Sequence, residues 1–174
     1  MTDLERNADI VDMATYAPLF AHVDGWQWRP DLIWFDNTRA VLTSSYYVQQ
    51  LYAHNKGTNV LPLTMNGKTV AGQDGQDGLF ASAVADRQKG ETIVKVVNTS
   101  SQAQAITLNL HGMKGCHSAT VTTLQCDDMD AENTLDTPNR IQPVSGKAQC
   151  VSDKRNTTLI DDIPAKSFRV YVIK

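Results

Sequence analysis

Near the start of the chain, apolar residues fall at helical spacing. Leu4, Ala8, Val11 and Ala14 lie on one face, the stripe expected of a helix packed against a core. Thr2 followed by Glu5 has the form of a capping box, in which a hydroxyl and a carboxylate each accept a hydrogen bond from an otherwise unpaired amide. The pattern predicts a helix from about Asp3 to Tyr16, stopped by Pro18, because proline cannot continue the ladder. From Gly25 to Phe35 the chain is aromatic and apolar. It suits a short strand around Trp26 to Arg29, a break at Pro30 and a buried stretch from Leu32 to Phe35. Asp36 and Asn37 then read as a turn. A second helix starts at a Ser44 or Ser45 cap and runs through Tyr47, Val48, Leu51 and Tyr52, with Gly57 placed to end it in a left-handed conformation.

Beyond Gly57, glycines at 67, 72, 75, 78 and 90 punctuate short β-branched runs. The clearest strands are Thr92 to Val97, Ala105 to Leu110, Ala119 to Leu124 and Ser167 to Ile173. In the last of these Phe168, Val170 and Val172 alternate with Ser167, Arg169 and Tyr171, the period of a strand with one face on a core. Short strands without intervening helices predict a sandwich or barrel. Asp74 to Gly78 reads as a tight turn, and Cys126 to Asn133 and Lys147 to Asn156 as long loops. The expectation is a mainly β chain, with a small helix-strand-helix head in residues 1–57 and a β-sandwich in residues 58–174.

The 174 residues suffice for one ordinary domain with an appendage, since a core of that size buries enough apolar surface to fold. With 16 basic and 19 acidic residues the formal charge is -3, and no Lys or Arg run is dense enough to neutralise a string of phosphates or anionic lipids. Nucleic acid and membrane surfaces are therefore not expected partners. No apolar stretch approaches the roughly 18 residues that span a bilayer.

Candidate chemistry is sparse. Three cysteines, Cys116, Cys126 and Cys150, match no zinc or redox spacing, and an odd count leaves at least one free. Cys116 and Cys126 are placed to meet across a hairpin; a small buried apolar role is the favoured reading for each. His22, His54, His111 and His117 lack the paired spacing of a zinc site. Asp127, Asp128, Asp130 and Glu132 offer oxygens for calcium without the glycine and spacing of an EF-hand, so a solvated loop is favoured. No metal and no cofactor is implied. Asn98-Thr99-Ser100 and Asn156-Thr157-Thr158 fit the glycosylation pattern, which arises often by chance.

Several segments together resemble one family. LERNADIVDMATYAPLF, WRPDLIWFDN and SYYVQQLYAHNKG look like the last part of the catalytic barrel of α-L-arabinofuranosidases of glycoside hydrolase family fifty-one. GLFASAVADR, ETIVKVVNTS, NTLDTPNRIQPV and IPAKSFRVYVI are similar to the β-sandwich that closes those enzymes. The resemblance implies the end of a (β/α)8 barrel followed by a jelly-roll-like sandwich. The implied parent is a retaining hydrolase that removes terminal arabinofuranosyl groups from arabinan or arabinoxylan; its compartment stays open, a periplasmic or secreted setting being plausible for it. The implied partners are the barrel of the same polypeptide and an arabinose-containing polysaccharide or oligosaccharide, with a homo-oligomer also in view.

Retention needs two carboxyl groups roughly 5 to 5.5 Å apart, and in the family both are glutamates on barrel strands. The chain has three glutamates, Glu5, Glu91 and Glu132, and none matches either family motif. Both motifs should lie upstream of Met1, so the fragment is expected to be inactive. By position the strand around Trp26 to Arg29 resembles the eighth barrel strand, whose functional residues sit at its C-terminal end. The substrate-binding candidates are Trp28, as an aromatic face, and Asp31, as a hydroxyl acceptor. A sugar-contacting Gln of some relatives falls near Pro30 and does not carry over.

The rival class is a free-standing carbohydrate-binding sandwich module. Such modules stack sugars on exposed rings, yet nine of the twelve aromatic residues lie at or before Tyr52, leaving Phe80, Phe168 and Tyr171 in the β body. Tyr171 is its main candidate for an exposed ring. A structural role is favoured, with Trp26, Trp34, Phe35 and Tyr47 at or near the junction with the barrel.

Overall fold

The computed structural model describes residues 1–113, 115–116, 118–152 and 156–174. Its elements in chain order are α1 (Thr2–Arg6), β1 (Phe20–His22), β2 (Ile33–Phe35), β3 (Ala40–Leu42), α2 (Ser44–His54), β4 (Asn59–Leu61), β5 (Thr64–Met65), β6 (Lys68–Thr69), β7 (Leu79–Asp86), β8 (Glu91–Asn98), β9 (Gln104–His111), β10 (Ala119–Gln125), β11 (Val144–Lys147), β12 (Cys150–Ser152), β13 (Asn156–Ile163) and β14 (Ser167–Ile173). The chain is mainly β, as expected.

A six-stranded antiparallel sheet in the order β11-β10-β14-β8-β7-β4 faces a three-stranded sheet, β12-β13-β9. Val94 and Val96 of β8, Tyr171 and Ile173 of β14, and Leu159 and Ile163 of β13 fill the space between them. The other face of the large sheet is buried as well. Ile93, Phe168 and Val170 pack there against Leu51 and Tyr52 of α2, and Tyr52 stacks on Phe168 at a ring separation of 5.3 Å. Both faces of β14 are therefore core. The alternation in its sequence separates two buried environments instead of core from solvent. Tyr171, expected to be exposed, is wholly buried, and its hydroxyl donates to Asp161 Oδ2 at 2.8 Å. Burial pushes that phenol's pKa up.

The head forms a separate three-stranded sheet, β1-β2-β3. β1 and β2 run parallel, with Phe20 opposite Ile33 and His22 opposite Phe35, whereas β2 and β3 form an antiparallel hairpin. The turn between them is held by Asp36, whose Oδ1 accepts from the amides of Thr38 and Arg39. The Thr38 amide and then the Arg39 groups hold its carboxyl far below the ordinary range.

Several local expectations are corrected. The first helix ends at Arg6 instead of Tyr16, and its Met1 cap makes no side-chain hydrogen bond. Ile10 and Met13 are 77% and 81% exposed, and a helix of this length needs a packed face to persist. Glu5 does not close a capping box; its carboxylate meets Lys95 Nζ and accepts from Ser82 Oγ. The Trp26 to Arg29 segment is a loop, and the strand lies earlier, at Phe20–His22. Thr43, not Ser44 or Ser45, caps α2, its hydroxyl accepting from the Tyr46 amide. That helix ends at Asn55 with a φ of -114°, so Gly57 is not its left-handed stop. Gly57 serves close approach instead: a Cβ there would lie 2.6 Å from Val84 Cβ and 2.7 Å from the Ala85 carbonyl oxygen. The expected loop from Lys147 to Asn156 contains β12, and β11 ends at Lys147.

The tight turn at Asp74–Gly78 is present. Gln76 is buried inside it, accepting from the Ala71 and Gln73 amides and donating to the Thr69 carbonyl. Asn98 is fully buried, with its amide spent on the carbonyls of Gln102, Ile163 and Pro164; its triplet is closed to glycosylation in the folded chain. Cys116 bonds to Cys150 and leaves Cys126 free, which replaces both earlier readings of Cys116.

Candidate active-site rim at the head and sandwich junction

One face of the head sheet carries Ala21, Trp34 and Val41, with Val23 and Leu135 packed on them. The loop following β10 folds over this face, and Asn133 fixes it there. Its Nδ2 donates to the Leu42 and Ile141 carbonyls at 2.8 Å each, and its Oδ1 accepts from the Ile141 amide at 2.7 Å. Arg39 adds contacts to Asp136 and the Leu135 carbonyl. Arg29 spans the gap from the other side. Its guanidinium lies 4.8 Å from the Trp34 ring centre and 5.3 Å from that of Trp26, and donates to Glu132 at 2.9 Å.

Between these walls lies a cavity of about 270 Å³, lined among others by Arg29, Asp31, Trp34, Ser44 and Glu132. Asp31 is 3% exposed, and its Oδ2 is buried without a hydrogen-bond partner. A buried acceptor so placed favours a hydroxyl or cationic donor, because an unmet buried polar atom costs desolvation.

The sequence candidates thus separate. Asp31 lines the cavity, whereas Trp28 stands on the same loop at 63% exposure and outside the cavity wall. Arg29, Glu132 and Asn133 were not singled out as site residues, although they build it. Arg29 was legible only as the cation in an aromatic-rich segment, and the Asn133 and Glu132 contacts span about ninety or more residues of sequence. No sequence pattern announces such a pairing.

The three glutamates are all tied down: Glu5 to Lys95, Glu91 to Lys174 and Glu132 to Arg29. Among the described residues no cluster of His, Cys, Asp and Glu suits a metal ion. His22 is held by edge contact with Phe35 and accepts from the Asp24 amide; His54 and His111 are exposed; His117 lies outside the described residues. In the acidic loop Asp128 pairs with Arg140, as a surface loop would.

The sequence profile of the α-L-arabinofuranosidase C-terminal domain family matches residues 1–167, across both head and sandwich. The chain belongs to that family. It is 32% identical over 167 residues to α-L-arabinofuranosidase A of Aspergillus kawachii, covering 95% of this chain and 24% of that protein. It is 53% identical over 62 residues to the extracellular exo-α-L-arabinofuranosidase of Streptomyces chartreusis, covering 36% of this chain and 8% of that one. The structure of the arabinose-bound MgGH51 α-L-arabinofuranosidase superimposes on the whole chain with a TM-score of 0.83 at 31% identity, covering 26% of that protein. The α-L-arabinofuranosidase C-terminal domain described here therefore spans about a quarter of the length of these full-length relatives.

Proposed function

We propose that the chain is the C-terminal part of a retaining α-L-arabinofuranosidase acting on arabinan or arabinoxylan. In this reading residues 1–57 complete the catalytic (β/α)8 barrel and residues 58–174 are a structural sandwich that braces it. The observation that carries it is the parallel β1–β2 pair, set among strands that in the described residues otherwise pair antiparallel, because β/α barrels are built of parallel neighbours. One face of that sheet is buried on the sandwich loop, while Phe20, at its open edge, is 60% exposed, as suits a strand with a further barrel neighbour. Trp28 and Asp31 lie on the loop that follows β1, where barrel enzymes place substrate contacts. Asp31 takes a sugar hydroxyl and Trp28 offers a ring face.

The chemistry resides in glutamates supplied by the preceding barrel, since the three present here are engaged in ion pairs. Incubating the chain with an aryl α-L-arabinofuranoside should release no aglycone. Turnover abolished by a substitution within these residues would overturn the reading. In the full-length parent, Trp28→Ala should lower kcat/KM several-fold, in line with a contribution of roughly 0.5–1.5 kcal/mol; an unchanged value removes Trp28 from the substrate contacts. The alternative of a free-standing carbohydrate-binding module is disfavoured by the burial of Phe168 and Tyr171, which leaves the half-buried Phe80 as the remaining ring of the sandwich. Titration calorimetry with arabinoxylan oligosaccharides should accordingly be flat for the isolated chain.

A further inference from the structure

The connection between β9 and β10 is covalently tied to the edge strand β12. The Cys116 and Cys150 sulfurs are bonded across 34 residues of sequence, with their Cα atoms 6.5 Å apart. That spacing lies within the range a disulfide spans without moving the backbone. Noncovalent anchoring is thin at this corner. Among the described residues β12 pairs with β13 through three residues and one side-chain hydrogen bond, Ser152 Oγ to Thr157 Oγ1 at 2.9 Å; Val151 at its centre is exposed, and all four residues of the preceding β11 are exposed. Beneath lies the end of the inter-sheet core, where Leu110, Met113 and Ala148 pack beside the two cysteines. Cys126 belongs to the opposite, α2-facing cluster and is free.

We propose that Cys116 and Cys150 are an oxidative maturation site, and that the chain completes its fold in an oxidising compartment. The partner is a disulfide-bearing oxidant of the thiol-disulfide exchange class. One cysteine thiolate attacks a sulfur of the oxidant's disulfide, forming a mixed disulfide and releasing one oxidant thiol. The second cysteine thiolate then displaces the other oxidant thiol and closes the Cys116–Cys150 bond. Two electrons and two protons pass from the chain to the oxidant, whose single S–S bond becomes two thiols. Such bonds form and persist outside the reducing cytosol. Both cysteines are half-buried at the surface end of the core, within reach of an exchange partner. The bond pins an edge strand whose described contacts to β13 are three backbone pairings and one side-chain hydrogen bond, and closes the corner over Met113 and Leu110.

The test begins with the whole chain matured in an oxidising compartment and alkylated in denaturant without reductant. One alkyl group per chain is expected, on Cys126, rising to three after reduction, and peptide mapping should recover a Cys116–Cys150 cross-link. In the double variant Cys116→Ala, Cys150→Ala, amide exchange should accelerate at least tenfold across 144–152, with α2 and β8 unchanged. The same acceleration should appear in the wild-type chain on reduction, which covers the case of a variant that fails to fold. Three alkyl groups before reduction, a cross-link through Cys126, or unchanged exchange at β12 after reduction would each overturn the proposal.

Discussion

Lys95 shows how far a residue's role can depart from its local sequence. In the run Glu91–Asn98 it occupies the polar slot of an apolar strand, where a solvent-facing side chain is the natural expectation. It is instead wholly buried beneath α2, donating to the Asn55 carbonyl at 2.7 Å, lying 5.1 Å from the Tyr52 ring centre and pairing with Glu5. Burial lowers its pKa, and Glu5 opposes that shift. Removing one member of a buried pair leaves an uncompensated charge, a loss of roughly 3 to 5 kcal/mol, whereas replacing both with apolar groups is often neutral. Glu5→Gln should therefore destabilise the chain strongly in urea titrations, and Glu5→Leu with Lys95→Met should recover most of the loss. The sign of the pH dependence follows. A lysine whose folded pKa is depressed costs stability while charged, and that cost is relieved as pH rises from the folded pKa toward the unfolded one. Without Glu5 the depression deepens, so the deficit of Glu5→Gln against wild type should shrink on going from neutral to alkaline pH. A constant deficit would mean that Lys95 is not the charge being compensated.

Elements were legible where β-branched runs or an apolar stripe ran the length of the element, however distant the partner, as for β9 on β13 and β14 on β8. Strands β8, β9, β10 and β14 appear within a residue or two of expectation, and α2 follows from its apolar stripe. The first helix fails because its stripe beyond Arg6 finds no surface to cover, and periodicity states a capacity to pack without supplying the partner. β11 and β12 were missed because short edge strands, exposed at most positions, carry almost no alternation. Gly57 was recognised as special for the wrong reason. Its need is space beneath β7, where Val84 and the Ala85 backbone approach, and backbone cannot yield as a flexible side chain can. Gly57→Ala should cost about 1 to 3 kcal/mol, the usual toll of overpacking, and lower Tm by about 2 to 4 °C per kcal/mol for a chain of this size. Gly25→Ala is the control, since a Cβ there meets nothing within 4 Å. Equal melting of both variants would remove the close-packing argument.

At the scale of the whole molecule the two halves are bound by many dispersed contacts. Arg6 donates to the Val70 and Ala81 carbonyls, Glu5 reaches Lys95 and Ser82, Asn133 grips the Leu42 carbonyl, and α2 covers the large sheet. These join residues about forty to ninety apart or more, which is why a reading that located the Asp31 loop did not foresee the cavity that surrounds Asp31. The same docking leaves large apolar side chains of the head exposed. Ile10, Met13, Leu19, Phe20 and Trp28 are all open to solvent, and exposed apolar surface of that extent marks surfaces that associate. β1 also presents an open edge, a template for further pairing. In the proposed parent the barrel covers both features. The isolated chain must satisfy them against itself, so its sedimentation coefficient should climb with concentration through the micromolar range. Phe20→Asp together with Met13→Asp should shift that onset to higher concentration while leaving the melting of the sandwich unchanged, because neither side chain belongs to its core clusters. Sedimentation that stays monomeric at every concentration would show that the exposed side chains of the head need no cover, and would weaken the placement of a barrel neighbour beside β1.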